Sequence, residues 1–201
     1  MSKNGLRIFE FIKNFGLENT EKNLRNFSVQ NITAISDSIT SLSQRIFRAE
    51  RAKKESKNVS LRVAFLCLKS DFVQKQNFGA KVLEAACQKA SLGESSFTKK
   101  ELSQLIFEEN LFEKIIKGHP SLISKSSSIF RLLFVEKKVS SQQFDLLWEQ
   151  VFKSDRESKK ALITVLKDVI YDLTEDEIKS ILSKVSWNIE SIGEPEIELV
   201  V

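Results

Sequence analysis

The residues best suited to nucleophilic or metal chemistry are a single histidine, His119, and two cysteines, Cys67 and Cys87. A reactive cysteine needs its thiolate stabilised by a neighbouring base or cation, and a zinc site needs several such ligands converging. With one histidine, any His-based cluster or triad has to recruit His119. That residue precedes Pro120 in a break between apolar stretches, where it reads as structural. Cys67 and Cys87 lie inside apolar runs, as reduced core thiols do. The sequence contains no Gly-rich phosphate loop, no Cys-x-x-Cys and no His-Glu-x-x-His. The expectation is a chain with no catalytic, cofactor-binding or metal-ligating residues, and with no enzyme activity of its own.

Charge offers a second kind of chemistry. Arg45, Arg48, Arg51, Lys53, Lys54 and Lys57 fall within 13 residues, diluted by Glu50 and Glu55. They form a candidate patch for an acidic partner, a phospholipid or a nucleic acid. The plainer reading is a solvated helix end, where basic side chains complement the negative pole of the dipole. Phe47 is the one aromatic residue among these charges, too little for the stacking platform that binds single-stranded nucleic acid. Across the whole chain 31 basic residues face 27 acidic ones, so the net charge of +4 is a mixed surface and not a basic face. Trp148 and Trp187 could anchor an interface, although Trp148 falls in a core stripe.

These residues must be positioned by helices. Hydrophobic residues make up 41% of the 201 and charged ones 29%, a folded composition, while two prolines and six glycines leave long segments unbroken. Leu6, Ile8, Phe9, Phe11, Ile12 and Phe15 predict a short helix stopping at Gly16 and apolar enough to need a partner surface. From Ser28 a longer helix carries Ile32, Ile35, Ile39, Leu42, Ile46 and Ala49 and runs on to Lys57. The stretch 59–68 is apolar nearly all round and reads as buried. A helix to about Ala90 follows, with Phe72, Val73, Val82, Leu83, Ala86 and Cys87 inward and Gly79 as a weak point. The clearest internal loop is 91–96.

In the second half, Thr98 with Glu101, Ser140 with Gln143, and Thr174 with Glu177 fit the capping box. Each box is flanked by an apolar pair able to staple it: Phe97 and Leu102, Val139 and Phe144, Leu173 and Ile178. Ser154 with Glu157 makes a fourth box. Core stripes follow at Leu122, Ile123, Ser126, Ile129, Phe130, Leu133 and Phe134, at Phe144, Leu147, Trp148 and Val151, and at Leu162, Val165, Leu166 and Val169. The stapled starts are 42 and 34 residues apart, near the period of armadillo and HEAT repeats.

Several segments, in order, resemble the helical region upstream of the catalytic domain in large ubiquitin-specific proteases of the fat-facets type. They are 66–72 (Leu-Cys-Leu-Lys-Ser-Asp-Phe), 110–116 (Asn-Leu-Phe-Glu-Lys-Ile-Ile) and 119–126 (His-Pro-Ser-Leu-Ile-Ser-Lys-Ser), followed by 129–133 (Ile-Phe-Arg-Leu-Leu), 144–148 (Phe-Asp-Leu-Leu-Trp) and 161–168 (Ala-Leu-Ile-Thr-Val-Leu-Lys-Asp). The resemblance covers a little over half the chain and implies a non-catalytic arm. The Gly- and Asn-rich cysteine box of that family does not surround Cys67 or Cys87, so no catalytic residue carries over.

The expected fold is therefore all-α, a right-handed stack of antiparallel helix pairs forming an armadillo/HEAT-like solenoid segment. Residues 1–57 would hold the N-terminal helices and 58–187 the repeat core, with 188–201 the start of a further, truncated element. The expected function is a scaffold or protein-interaction segment of a deubiquitinase, with ubiquitin-pathway substrates or the separate catalytic domain as partners. An intracellular helical adaptor unconnected with ubiquitin is the alternative, and a nucleic-acid binder using 45–57 the third reading. No apolar stretch reaches the ~20 residues of a membrane span, so the expected location is cytoplasmic or nuclear.

Overall fold

The computed structural model describes residues 3–175 and 178–179, and among them every regular element is a helix. The chain divides into two compact units, Met1–Thr98 and Lys99–Val201. The expected boundary at 57/58 falls inside a continuous helix. The loop read at 91–96 lies just before the division instead.

The first unit holds α1 (Lys3–Lys22), α2 (Val29–Ile46), α3 (Ala49–Lys69) and α4 (Val73–Ser91). Helix α1 does not stop at Gly16 but passes through it. A Cβ there would stand 3.0 Å from Ile39 Cδ1 and 3.4 Å from Ile35 Cγ2, so the glycine is a point of close approach to α2. Phe9, Leu17 and Thr20 face the core, and the Thr20 hydroxyl donates to the Gly16 carbonyl at 2.8 Å.

Ser28 starts α2 as its N-cap, accepting from the Asn31 amide at 3.2 Å. The helix ends at Ile46 and does not run on to Lys57. Phe47 and Arg48 are extended, and the Phe47 ring meets Phe9 edge-on at 4.8 Å. Seating that ring in the core turns the chain where no glycine or proline marks a break. Ala49, expected at the end of the α2 stripe, begins α3.

Helix α3 buries Ala52, Val59, Val63 and Cys67 with the α1 and α2 residues, and Leu61, Ala64, Phe65 and Leu68 elsewhere, as its all-round apolarity predicts. Helix α4 is continuous through Gly79, where a Cβ would fall 2.5 Å from the Ala64 carbonyl oxygen. Contacts pair the helices in antiparallel sense: Gly16 with Ile35 and Ile39, Ser43 with Ser56 (Oγ to Oγ 3.1 Å), Gly79 with Ala64 and Leu68. Of the α4 residues expected inward, Leu83 and Cys87 are buried and Val82 and Ala86 half-buried, but Phe72 and Val73 are exposed. Lys75 takes the inward place: 6% exposed, it donates to the Leu24 carbonyl and, at 3.3 Å, to Arg25, while its ammonium sits 4.3 Å from the Phe72 ring centre. It thus satisfies carbonyls in the turn that follows α1. Gly93, at φ +73°, closes α4, with the Glu94 amide donating to the Lys89 carbonyl at 2.9 Å.

The second unit's described residues form α5 (Lys99–Glu108), α6 (Leu111–Ile116), α7 (Pro120–Ser124), α8 (Ser127–Val135), α9 (Ser141–Lys153) and α10 (Arg156–Ile170). Helix α10 lies against α7, α8 and α9 and is buried on most sides through Ala161, Leu162, Ile163, Val165, Leu166 and Val169. The stripe from Leu122 to Phe134 is buried throughout but belongs to two short helices. It breaks at Ser126, whose buried hydroxyl donates to the Leu122 carbonyl at 2.8 Å. Ser140 caps α9 with both hydrogen bonds of its box: it accepts from the Gln143 amide at 3.2 Å, and its own amide donates to Gln143 at 3.0 Å. The fourth box shifts by one residue. Asp155, not Ser154, accepts from the Glu157 and Ser158 amides at 3.0 and 3.1 Å, because Ser154 terminates α9. Helix α5 begins directly after Thr98. The box at Thr174 needs Glu177, which lies outside the described residues, as do Trp187 and the tail 188–201.

Candidate functional site

The groups with chemical potential are occupied by folding. His119 is the N-cap of α7: its Nδ1 accepts from the Ser121 amide at 3.2 Å and lies 2.8 Å from Ser121 Oγ, with Pro120 at the first helical position. Accepting at Nδ1 places the ring proton of the neutral imidazole on Nε2. Cys67 and Cys87 are free thiols, fully buried. Burial pushes Cys67 up to about 11, outweighing the downward pull of Lys75. Burial, reinforced by Glu84, raises Cys87 as well. Neither is a thiolate at neutral pH, so neither is poised as a nucleophile. Among the described residues, no three His, Cys, Asp or Glu side chains converge as a metal site would require.

The basic residues at 45–57 are divided by the break at Phe47. Arg45 lies in the last turn of α2, where the dipole favours it, but Arg48 is the N-cap residue of α3 and the other four occupy its first turns. There the helix pole is positive, so dipole complementarity does not account for them. At 100° per residue, Arg51 and Lys53 stand about 200° apart around α3. The Arg51 guanidinium covers the Phe47 ring at 4.7 Å. Nearby, Lys13 bridges Glu55 at 3.6 Å and Glu10 at 2.6 Å. The pKa of Lys57 is lowered first by partial burial, then by repulsion from Lys53 and from Lys89 of α4. The six residues thus straddle the corner between α2 and α3.

Trp148 is 7% exposed and meets Phe152 edge-on at 5.4 Å, which makes it a packing residue. A cavity in the second unit, lined by Ile106, Phe107, Leu111 and Leu133 with Lys138 and Gln143, encloses about 10 Å³. That is room for no more than one water, far below a metabolite site.

Among the described residues, the largest concentration of exposed apolar side chains is on α1. Ile8 is 56% exposed, Phe11 71%, Ile12 38% and Phe15 63%, and the Phe11 and Phe15 rings stack at 6.3 Å. The apolar composition of 6–15 signals a need for cover; which residues lack it emerges only once Phe9 and Leu17 are seen to face the core. Isolated exposed apolar residues are ordinary, but four at i, i+3, i+4 and i+7 make a continuous row. No described helix is long and apolar enough to cross a membrane. Comparison with protein-family models, curated proteins and solved structures finds no match for this chain.

Proposed function

We propose that the chain works by docking, as a non-catalytic helical scaffold, and that it is an interaction arm of the kind found upstream of ubiquitin-specific protease domains. The carrying observation is the contrast on the molecule's surface. A row of four large apolar side chains stands open on α1, while His119 is spent on a helix cap and both thiols are sealed in the core. The ubiquitin connection is supported by the ordered segments between 66 and 168. One of them, 119–126, holds two structural joints, the His119–Pro120 start of α7 and the buried Ser126. In this reading the antiparallel helices belong to an armadillo/HEAT-like stack inside the cell, and the partners are ubiquitin-pathway substrates or a deubiquitinase catalytic domain. The basic residues 45–57 have only Phe47 among them for stacking, which disfavours nucleic acid as the partner.

The test is proximity labelling with this chain as bait in the cells that express it. Enrichment of a ubiquitin-specific protease or of ubiquitin-conjugated proteins is the expected result. A labelled set without any ubiquitin-pathway protein, from a bait that is folded and expressed, contradicts the deubiquitinase connection.

A further inference from the structure

We infer that the outer face of α1 is a self-association surface on which a second copy of this chain docks antiparallel. Ile8, Phe11, Ile12 and Phe15 occupy one side of the helix, roughly opposite the buried row of Phe9, Leu17 and Thr20, so no helix of the same unit obstructs them. At their exposures they offer roughly 500 Å² per copy, near the upper limit for an ordinary monomer's largest apolar patch. Pairing two copies would cover about 1,000 Å², the lower bound of a specific interface and enough for a weak dimer.

Of the flanking charges, Arg7 and Glu18 suit a second copy docked antiparallel. Arg7 and Glu18 are both exposed. Eleven residues apart, they lie within about 20° of each other around the helix, on the same edge of the apolar row. A two-fold axis passing between residues 12 and 13 sets Arg7 of each copy level with Glu18 of the other, giving two reciprocal ion pairs beside the apolar contact. In a two-fold antiparallel pair, like edges meet, as isologous contacts require. Parallel pairing would place the two Arg7 level but on opposite edges of the seam, and no Arg7–Glu18 pair would form. Phe11 and Ile12 fall at the axis, where the apolar contact is closest.

The experiment is sedimentation velocity of the full chain from about 1 to 200 µM, with a dimer expected to form with a Kd of about 10 to 100 µM. Phe11→Asp, at a residue 71% exposed, should abolish the dimer while leaving the circular dichroism melt unchanged. Arg7→Glu and Glu18→Arg should each weaken it at least about threefold, and the double swap R7E/E18R should restore it. A chain that stays monomeric over this range overturns the proposal. So does a dimer indifferent to F11D, or one that the double swap fails to rescue. The proposal stands independently of the ubiquitin connection: a monomeric chain could still be labelled beside a deubiquitinase, and a dimeric one could lack that neighbour.

Discussion

The two units solve the same problem with different means. The first has four helices of 18 to 21 residues, and two of them, α3 and α4, begin at Arg48 and Phe72 without a side-chain cap. The described part of the second has six helices of 5 to 15 residues; His119, Ser140 and Asp155 cap three of their starts with a side chain, as Ser28 caps α2, while α6 and α8 begin without one. Long helices spread the cost of unsatisfied ends over many residues, so packing alone can hold them. Short helices expose a larger share of unpaired amides and carbonyls, and at α7, α9 and α10 a side chain satisfies some of these amides. The difference extends to the surface: four neighbouring large apolar residues stand open on α1, whereas Phe107, Val135, Phe152 and Tyr171 of the second unit come from four separate segments.

The sharpest test of that contrast lies within one helix. Phe9→Ala should destabilise the first unit by about 3–5 kcal/mol, since the ring is fully buried against Phe47. Phe11→Ala, two residues on, should change stability by less than about 0.5 kcal/mol. Urea unfolding followed by circular dichroism separates them, and equal losses would mean that α1 packs on both faces. Next is Gly79→Ala. Helix propensity favours alanine by about 1 kcal/mol, but the new methyl would meet the Ala64 carbonyl at 2.5 Å. A net loss of about 1–3 kcal/mol is expected from overpacking, and a gain would show that α3 and α4 can separate at little cost. In the second unit, Ser140→Ala should cost about 1 kcal/mol through its lost cap, read as a lower urea midpoint.

The smallest expected effect is a pH dependence at Asp155. Its carboxyl is held below the ordinary range, chiefly by the Ser158 hydroxyl and amide. A depressed folded pKa adds stability above the unfolded value of 3.8 that is lost as pH falls through the folded one. Asp155→Asn should therefore narrow the difference in urea midpoint between neutral and acidic pH. An unchanged difference would remove Asp155 from the capping of α10.

How much of this was legible in the sequence follows the same division. The capping pattern at Ser140 and the stripe Leu162, Val165, Leu166 and Val169 could be read directly, because caps and amphipathic periods are local signals. Gly16 and Gly79 read as a stop and a weak point, yet both serve close helix contact, which only the neighbouring helix reveals. The turn at Phe47 carries no local breaker; a ring seated on Phe9, 38 residues earlier, decides it. That turn also divides a basic run continuous in sequence between two helices. The open face of α1 was legible as excess apolarity, but not residue by residue, since Phe9 and Phe11 differ only in which side of the helix they occupy.

Hydrogen exchange of the full chain at low and high protein concentration tests most directly whether the first unit's open face is where the molecule docks. Amides of α1 should gain protection as concentration rises, while those of α9 and α10 exchange at unchanged rates. Exchange in α1 that ignores concentration, or a gain confined to the second unit, would contradict it.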